Sequence, residues 1–264
     1  MRTIKLTLEY DGTNYSGWQS QTNGTAIQDV VARAIQKMVE EKIVLRGASR
    51  TDAGVHALGQ VAIFQTERDI PCTGFLKGLN TLLPEDIRVK RCEEAVNPFH
   101  PVKDAKQKEY HYLLEMGETP SALNRNRAWW VGSNLDLKKM EQASRCLIGE
   151  RDFKSFQGPL SATKTTVRRL DCVSLRVPKG RSNPAKNLDC FVGLWPPRND
   201  VVCFQFIGNG FLKYMIRNIV GTLVEVGQGK RPVANVEEIL EARDRKKAGC
   251  CAPAHGLYLV AIQY

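Results

Sequence analysis

The chain has 264 residues, 42% hydrophobic and 25% charged, a composition that excludes a disordered or collagen-like protein. Polar side chains interrupt its longest apolar stretch, residues 206–226, and the N-terminus has no apolar run, so we expect a cytosolic protein without a membrane span or signal peptide. The net charge is +10, and the excess lies beyond residue 105, because residues 1–105 contain 13 basic and 13 acidic side chains. Such an excess indicates either a nucleic-acid partner or a solvated basic surface.

The first 105 residues predict the order β-α-β-β-α-β. Apolar and polar side chains alternate from residue 3 to 10, which is typical of a strand with one solvated face. A capping box at Thr25–Gln28 and helical spacing of apolar residues predict a helix that reaches Met38. The remaining elements of this half are predicted at 43–45 (strand), 60–65 (strand), 74–83 (helix, ended by Pro84) and 86–91 (strand).

The same order follows a proline-containing linker at residues 97–101. The predictions are strand 109–115, helix 136–148, strands 165–177 and 201–207, helix 212–226 and strand 257–263, with an extra helix at 235–243 and an insertion at about 178–200. We therefore predict an α+β protein of two ferredoxin-like units, residues 1–105 and 106–264, each an antiparallel sheet with helices on one face. RNA-binding folds often use the other face as a platform.

Eight cysteines raise the question of disulfides or zinc. None of them forms a Cys-x-x-Cys pair, and the adjacent Cys250 and Cys251 have no His or Cys partner at zinc-finger spacing. This pattern favours free thiols in a reducing compartment over a metal site.

Candidate chemistry concentrates in the loop at residues 46–60, which is longer than a hairpin needs and places Asp52 and His56 between three glycines. The residues alone leave three interpretations open. The two side chains could be metal ligands, although a third ligand is not evident nearby. They could be structural, with Asp52 capping a turn. Alternatively, Asp52 could be a catalytic carboxylate kept ionised by a cation such as Arg50.

The stretch Ser49-Arg50-Thr51-Asp52-Ala53-Gly54-Val55-His56 resembles the signature G-R-T-D-A-G-V-H of the TruA family of tRNA pseudouridine synthases. Further stretches in the same order resemble that family and together cover nearly the whole chain. They are Glu9-Tyr10-Asp11-Gly12 with Gly17-Trp18-Gln19, Phe99-His100, Tyr110-His111-Tyr112, Phe153-Lys154-Ser155-Phe156, Met215-Ile216-Arg217-Asn218-Ile219-Val220-Gly221 and Gly256-Leu257-Tyr258-Leu259-Val260.

The resemblance implies isomerisation of uridine to pseudouridine at positions 38 to 40 of the tRNA anticodon stem-loop, without cofactor or metal. It also implies a homodimer, and two sheets joined across a central basic cleft. Because the target base is buried in a stem, it must be flipped out before a side chain can reach it.

Three catalytic residues follow from the resemblance. Asp52 matches the essential aspartate, Tyr110 the active-site tyrosine that stacks on the flipped uracil, and Arg217 the basic residue that pairs with the aspartate. Periodicity by itself favours a core position for Tyr110 and a solvated helix flank for Arg217, and the register of the motifs reverses both preferences.

The substrate-binding predictions carry over in the same way. Leu257 is expected in the apolar wall around the uracil, Arg50 resembles an arginine that assists base flipping, and His56 is expected to support the loop. Lys164 and Arg168 resemble a basic stretch that contacts phosphates.

Four positions depart from the family pattern. Ser49 stands where glycine is usual, Lys164 replaces an arginine, Val102 stands where arginine is common, and Glu109 lies in a usually basic run. They put individual RNA contacts and the backbone at residue 49 in question.

Two rival functions remain. A non-catalytic RNA-binding module with the same sheets is disfavoured because the aromatic-rich signature of an RNA recognition motif is absent. An Asp/His hydrolase would need a second positioned acid or base, and the sequence offers none convincingly.

Overall fold

The computed structural model describes residues 1–96, 98–159, 163–176 and 200–264, and divides the chain into two compact units. The first unit comprises Met1–Lys108 and Tyr258–Tyr264, and the second comprises Glu109–Leu257. The insertion predicted at 178–200 lies, except for its last residue, outside the described residues.

The described ranges contain both helices and strands, so the chain is an α+β protein. Its elements follow in the order β1 (Arg2–Tyr10), α1 (Ile27–Val39), β2 (Arg46–Gly47), β3 (His56–Thr66), α2 (Cys72–Leu82), β4 (Ile87–Glu94), β5 (Gln107–Met116), β6 (Trp129–Gly132), α3 (Leu137–Ser144), β7 (Gly149–Asp152), β8 (Val167–Arg176), β9 (Val201–Gly208), α4 (Met215–Gly227), α5 (Asn235–Ala242) and β10 (Leu257–Gln263).

In the first unit, β1 lies between β4 and β3 and is antiparallel to both. The apolar face predicted for β1 is confirmed, because Ile4, Leu6 and Leu8 have no solvent exposure. The far edge of β3 pairs with β2 in the antiparallel sense and with β10 in the parallel sense, Tyr258 lying opposite His56. This pairing brings the last strand, predicted for the second half of the chain, into the first unit.

Two local predictions in the first unit are wrong. The strand expected at 43–45 is displaced to β2, because only Arg46 and Gly47 lie opposite β3. The capping box is not formed either: Ala26 is the N-cap of α1 and makes no side-chain cap. The side chain of Gln28 donates instead to Leu45 O at 2.8 Å, so a contact distant in sequence outweighs the local cap.

In the second unit, the strands lie in the order β5-β9-β8-β7, with β6 beside β5. β8 is antiparallel to both β7 and β9. The short strands β6 and β7 were not predicted, since four residues carry too little periodicity. Helix α4 begins at Met215, three residues later than predicted, so residues 209–214 form a connection between β9 and α4.

No helix in the described ranges combines the length and apolar character that crossing a membrane requires. The seven cysteines in these ranges are free thiols. Within the same part of the chain, no three or more His, Cys, Asp or Glu side chains are grouped as metal ligands.

Candidate active site

Residues 10–18, which we call the bracket segment, pack against the loop that carries Asp52. Trp18 N–H donates to Thr51 O at 3.1 Å, and the Tyr10 hydroxyl lies 2.8 Å from Thr51 Oγ1. The Trp18 ring is 1% exposed and stacks on Tyr10 with 6.2 Å between ring centroids. Thr51, the residue before Asp52, is therefore held through both its backbone and its side chain.

Two glycines of the bracket segment permit close backbone contact with this loop. At Gly17, whose φ is +99°, an added Cβ would lie 2.6 Å from Thr51 O and 3.0 Å from the carbonyl carbon of Asp52. At Gly12, an added Cβ would overlap the backbone of Val55. Glycine is required at Gly17 for its positive φ as well as for space.

His56 supports the same loop from inside the unit. Its ring is 3% exposed and stacks on Tyr258 at 4.7 Å. Its Nδ1 accepts the Gly12 N–H at 3.0 Å, which ties the ring to the bracket segment. The buried position favours loop support over contact with a substrate.

The start of the loop is fixed at Ser49. The buried Gln60 amide donates to Ser49 O at 2.6 Å, and its Oε1 accepts Ser49 N–H at 3.2 Å. Lys108 Nζ donates to Ala48 O at 2.8 Å. Ser49 is not among the described residues with positive φ, so its backbone accommodates a Cβ where glycine is usual. The exposed Arg50 follows directly.

Tyr110 and Tyr112 lie on one face of β5 in different environments. Tyr110 is 6% exposed, and its ring meets Phe211 edge-on with 5.0 Å between centroids. Tyr112 is fully buried, its hydroxyl donates to Pro253 O at 2.8 Å, and burial raises its pKa well above the usual value. Both tyrosines are thus buried, and an aromatic ring from the β9–α4 connection contacts Tyr110.

Glu109, which departs from a usually basic run, has a structural role in the second unit. Its Oε1 lies 2.7 Å from His111 Nε2 and accepts the Gln205 amide at 2.6 Å. The hydrogen bond with His111 lowers the pKa of Glu109. The Glu109 carboxylate therefore links β5 to β9, and its contact with His111 joins the two residues that flank Tyr110.

Arg217 is clamped at the first turn of α4. Its Nε donates to Ala252 O at 2.8 Å, and its carbonyl accepts the Ala252 N–H at 3.1 Å. The guanidinium carbon lies 4.9 Å from the centroid of the Tyr214 ring, a cation–π contact. These contacts hold a half-buried cation in place at the start of α4.

The remaining predicted residues also lie in the second unit. Arg168 is half-buried, which lowers its pKa, and donates to Thr165 O at 3.0 Å. Lys164 is exposed, and Leu257 is 6% exposed at the start of β10.

The structure places Arg50 and Asp52 in one loop of the first unit and His56 directly after it, at the start of β3, while the other five predicted residues lie in the second unit. In the second unit, the β9–α4 connection is the common neighbour: Gly210 lies against Arg168, Phe211 against Tyr110 and Tyr214 against Arg217.

Sequence reasoning did not identify Phe211, Tyr214 or Gly17 as parts of the site. Tyr214 fell inside the predicted helix 212–226, where an aromatic residue suggests only packing. Gly17 lies in a stretch that carries the family resemblance, which marked the segment without indicating what it contacts.

Comparison with known proteins gives matches over most or all of the chain. A sequence model described as tRNA pseudouridine synthase matches residues 7–100 and 143–264. Proteins named tRNA pseudouridine synthase A from Acetivibrio thermocellus, Geobacter sulfurreducens and Pelobacter propionicus are 45%, 43% and 41% identical, with coverage of 100% of both chains in each case. A solved structure of an archaeal box H/ACA sRNP Nop10-Cbf5 complex aligns with a TM-score of 0.36 and 11% identity, over 93% of this chain and 59% of that chain.

Proposed function

The chain belongs to the family of tRNA pseudouridine synthases, and we propose that it isomerises uridine to pseudouridine at positions 38, 39 and 40 of the tRNA anticodon stem-loop. The observation that carries the proposal is the loop of Asp52. It has the family signature, and the bracket segment holds its backbone through Thr51 and Gly17.

The reaction requires few chemical groups. The bond between N1 of uracil and C1′ of ribose breaks, a bond between C5 and C1′ forms, and one proton leaves C5 while N1 gains one. Substrate and product contain the same atoms, and no net oxidation occurs, so the proposal includes no cofactor and no metal. Because no water is added, a second carboxylate of the kind that glycosidases use is not needed.

Asp52 supplies the carboxylate in this proposal. It acts either as the nucleophile that attacks C1′ or as the base that initiates elimination. Its half-buried position, next to the exposed Arg50 and Ala53, leaves the loop accessible to a flipped nucleotide. Arg50 assists the flipping, and His56 keeps the loop in place.

Tyr110 and Arg217 complete the proposed chemistry. The Tyr110 ring stacks on uracil and its hydroxyl receives the C5 proton, while Leu257 contributes to the apolar wall. Arg217 pairs with Asp52 and keeps the carboxylate ionised, since a nearby opposite charge stabilises the charged form. This assignment rests on the family resemblance and on the local contacts that orient each side chain.

RNA backbone contacts are assigned to Lys164 and Arg168. Both are cations on the basic part of the chain, and phosphate contacts of this kind fix the register of the nucleic acid. We further propose that residues 1–105 and 106–264 form two ferredoxin-like units, with β10 adding to the first unit, and that the protein is a cytoplasmic homodimer.

Pseudouridine mapping on unmodified tRNA tests the function. Three transcripts each carry a uridine at one of positions 38, 39 and 40 and at neither of the other two. A control transcript carries no uridine at any of these positions. We expect pseudouridine at each of the three positions. Tight binding without any pseudouridine would support the RNA-binding module instead, and modification outside the anticodon arm would contradict the assigned target.

Gly17→Ala is expected to lower the single-turnover rate by about two orders of magnitude, because a Cβ there displaces the Asp52 backbone by a fraction of an ångström or more. The tRNA dissociation constant should change less than about twofold. Gly132→Ala is the matched control: its φ is +83° and nothing lies within 4 Å of the added Cβ. Equal loss of rate in both variants would mean that backbone strain, and not displacement of Asp52, causes the effect.

A further inference from the structure

Tyr214 has an unusual backbone for its place in the chain. It is the N-cap of α4, and its φ of 60° and ψ of 3° put it in the left-handed region. The other described non-glycine residues with positive φ are Glu40 and Arg243, which end α1 and α5. A left-handed residue is common where a helix ends, whereas an N-cap normally has extended geometry. A bulky side chain in this conformation costs free energy, and such positions cluster at functional sites.

The contacts of Tyr214 show what this conformation achieves. The Tyr214 ring packs directly against Gly158, where a Cβ would overlap the ring atoms. The Gly158 N–H donates to Lys213 O at 2.7 Å, so Gly158 is also hydrogen-bonded to the residue before the tyrosine. The Arg217 guanidinium carbon lies 4.9 Å from the ring centroid, and Lys213 Nζ lies 5.1 Å from it.

The start of α4 is fixed independently of the ring. The Asn218 amide donates to Phe156 O at 2.8 Å, and Ala252 holds the backbone carbonyl of Arg217. The arginine is therefore anchored at its Cα and, through Nε, at Ala252 O. The Tyr214 ring adds a contact at the guanidinium itself, and an aromatic face attracts a planar cation and favours particular orientations of its plane.

We propose that Tyr214 is a positioning residue that sets the plane of the Arg217 guanidinium for the reaction. This inference rests on the proposed function, in which Arg217 acts on the ionised Asp52. Tyr214 contributes its ring face, and the left-handed backbone is what brings that face to the arginine.

The first test compares three substitutions at Tyr214. Tyr214→Phe keeps the ring and should retain the single-turnover rate within about twofold. Tyr214→Asn and Tyr214→Gly tolerate the left-handed backbone but lack the ring, and should lower the rate about tenfold with an unchanged tRNA dissociation constant. As controls, Glu40→Asn and Glu40→Gly introduce the same two residues at a left-handed position in the other unit, and they should have no effect on the rate.

A double-mutant cycle separates positioning from general destabilisation. In an Arg217→Ala background, Tyr214→Asn should cause no further loss of rate, because the ring acts through the missing guanidinium. An undiminished tenfold loss in that background would overturn the proposal. So would a loss in Tyr214→Phe equal to that in Tyr214→Asn, or a full wild-type rate in Tyr214→Asn.

A readout without turnover distinguishes failure of this inference from failure of the proposed function. In protein labelled with ¹⁵N-arginine, the Nε–H signal of Arg217, assigned with Arg217→Lys, should shift when Tyr214→Asn removes the ring current and should stay in place in Tyr214→Phe. An unshifted signal overturns the contact itself. A wild-type protein that forms no pseudouridine overturns the proposed function, and with it the catalytic purpose of Tyr214, even where the signal shifts.

Discussion

Asp52→Asn is expected to abolish pseudouridine formation, with a single-turnover rate at least about a thousandfold below that of the wild type. Asparagine has nearly the same shape, but it is neither an effective nucleophile nor a base, so both proposed routes lose their reactive group. The loop should stay folded, because its contacts with the bracket segment run through Thr51, Gly12 and Gly17.

The measurement is single-turnover pseudouridine formation under saturating enzyme, with tRNA affinity determined separately. Asp69→Asn is the matched control, since it makes the same substitution in the same unit at a fully exposed side chain. We expect the control to retain wild-type activity and Asp52→Asn to retain tRNA affinity within about twofold. An Asp52→Asn variant that forms pseudouridine as fast as the wild type would remove Asp52 from the mechanism.

Arg217→Ala is expected to lower the single-turnover rate by about two to three orders of magnitude, a size typical of losing one preorganised charged group. Affinity for tRNA should fall much less, because the proposed partner of the guanidinium is Asp52 and not a phosphate. Arg217→Lys should recover part of the rate, since it keeps the charge but loses the planar contacts with Ala252 and Tyr214.

Arg168→Ala provides the opposite pattern for comparison. Removing a phosphate contact should weaken tRNA binding and reduce the slope of log affinity against log salt by about one, with the rate at saturation unchanged. Thermal melting checks folding, because Arg217→Ala also removes the Nε–H that donates to Ala252 O, at a cost of about 1 kcal/mol. If Arg217→Ala loses rate and affinity equally, Arg217 is a phosphate contact.

Regular elements with enough length were predictable from local pattern. The strict alternation of residues 3–10 corresponds to β1, and the apolar helical spacing after Thr25 corresponds to α1. Both elements are visible in the sequence because the apolar side chains of one buried face recur at regular spacing over several residues. The Thr25 cap, the strand at 43–45 and the start of α4 were mispredicted, since competing contacts distant in sequence decide them.

The candidate site divides in the same way. The sequence alone determined the residue types, the family and the candidate positions Asp52, Tyr110 and Arg217, because reactive groups must be particular side chains in a recognisable register. The tertiary structure decided what orients them: Gly17 against the Asp52 loop, Phe211 against Tyr110, and Tyr214 against Arg217. Each of these contacts joins different elements or depends on a left-handed backbone. The sequence could not predict them, because packing distances and φ angles leave no periodic pattern along the chain.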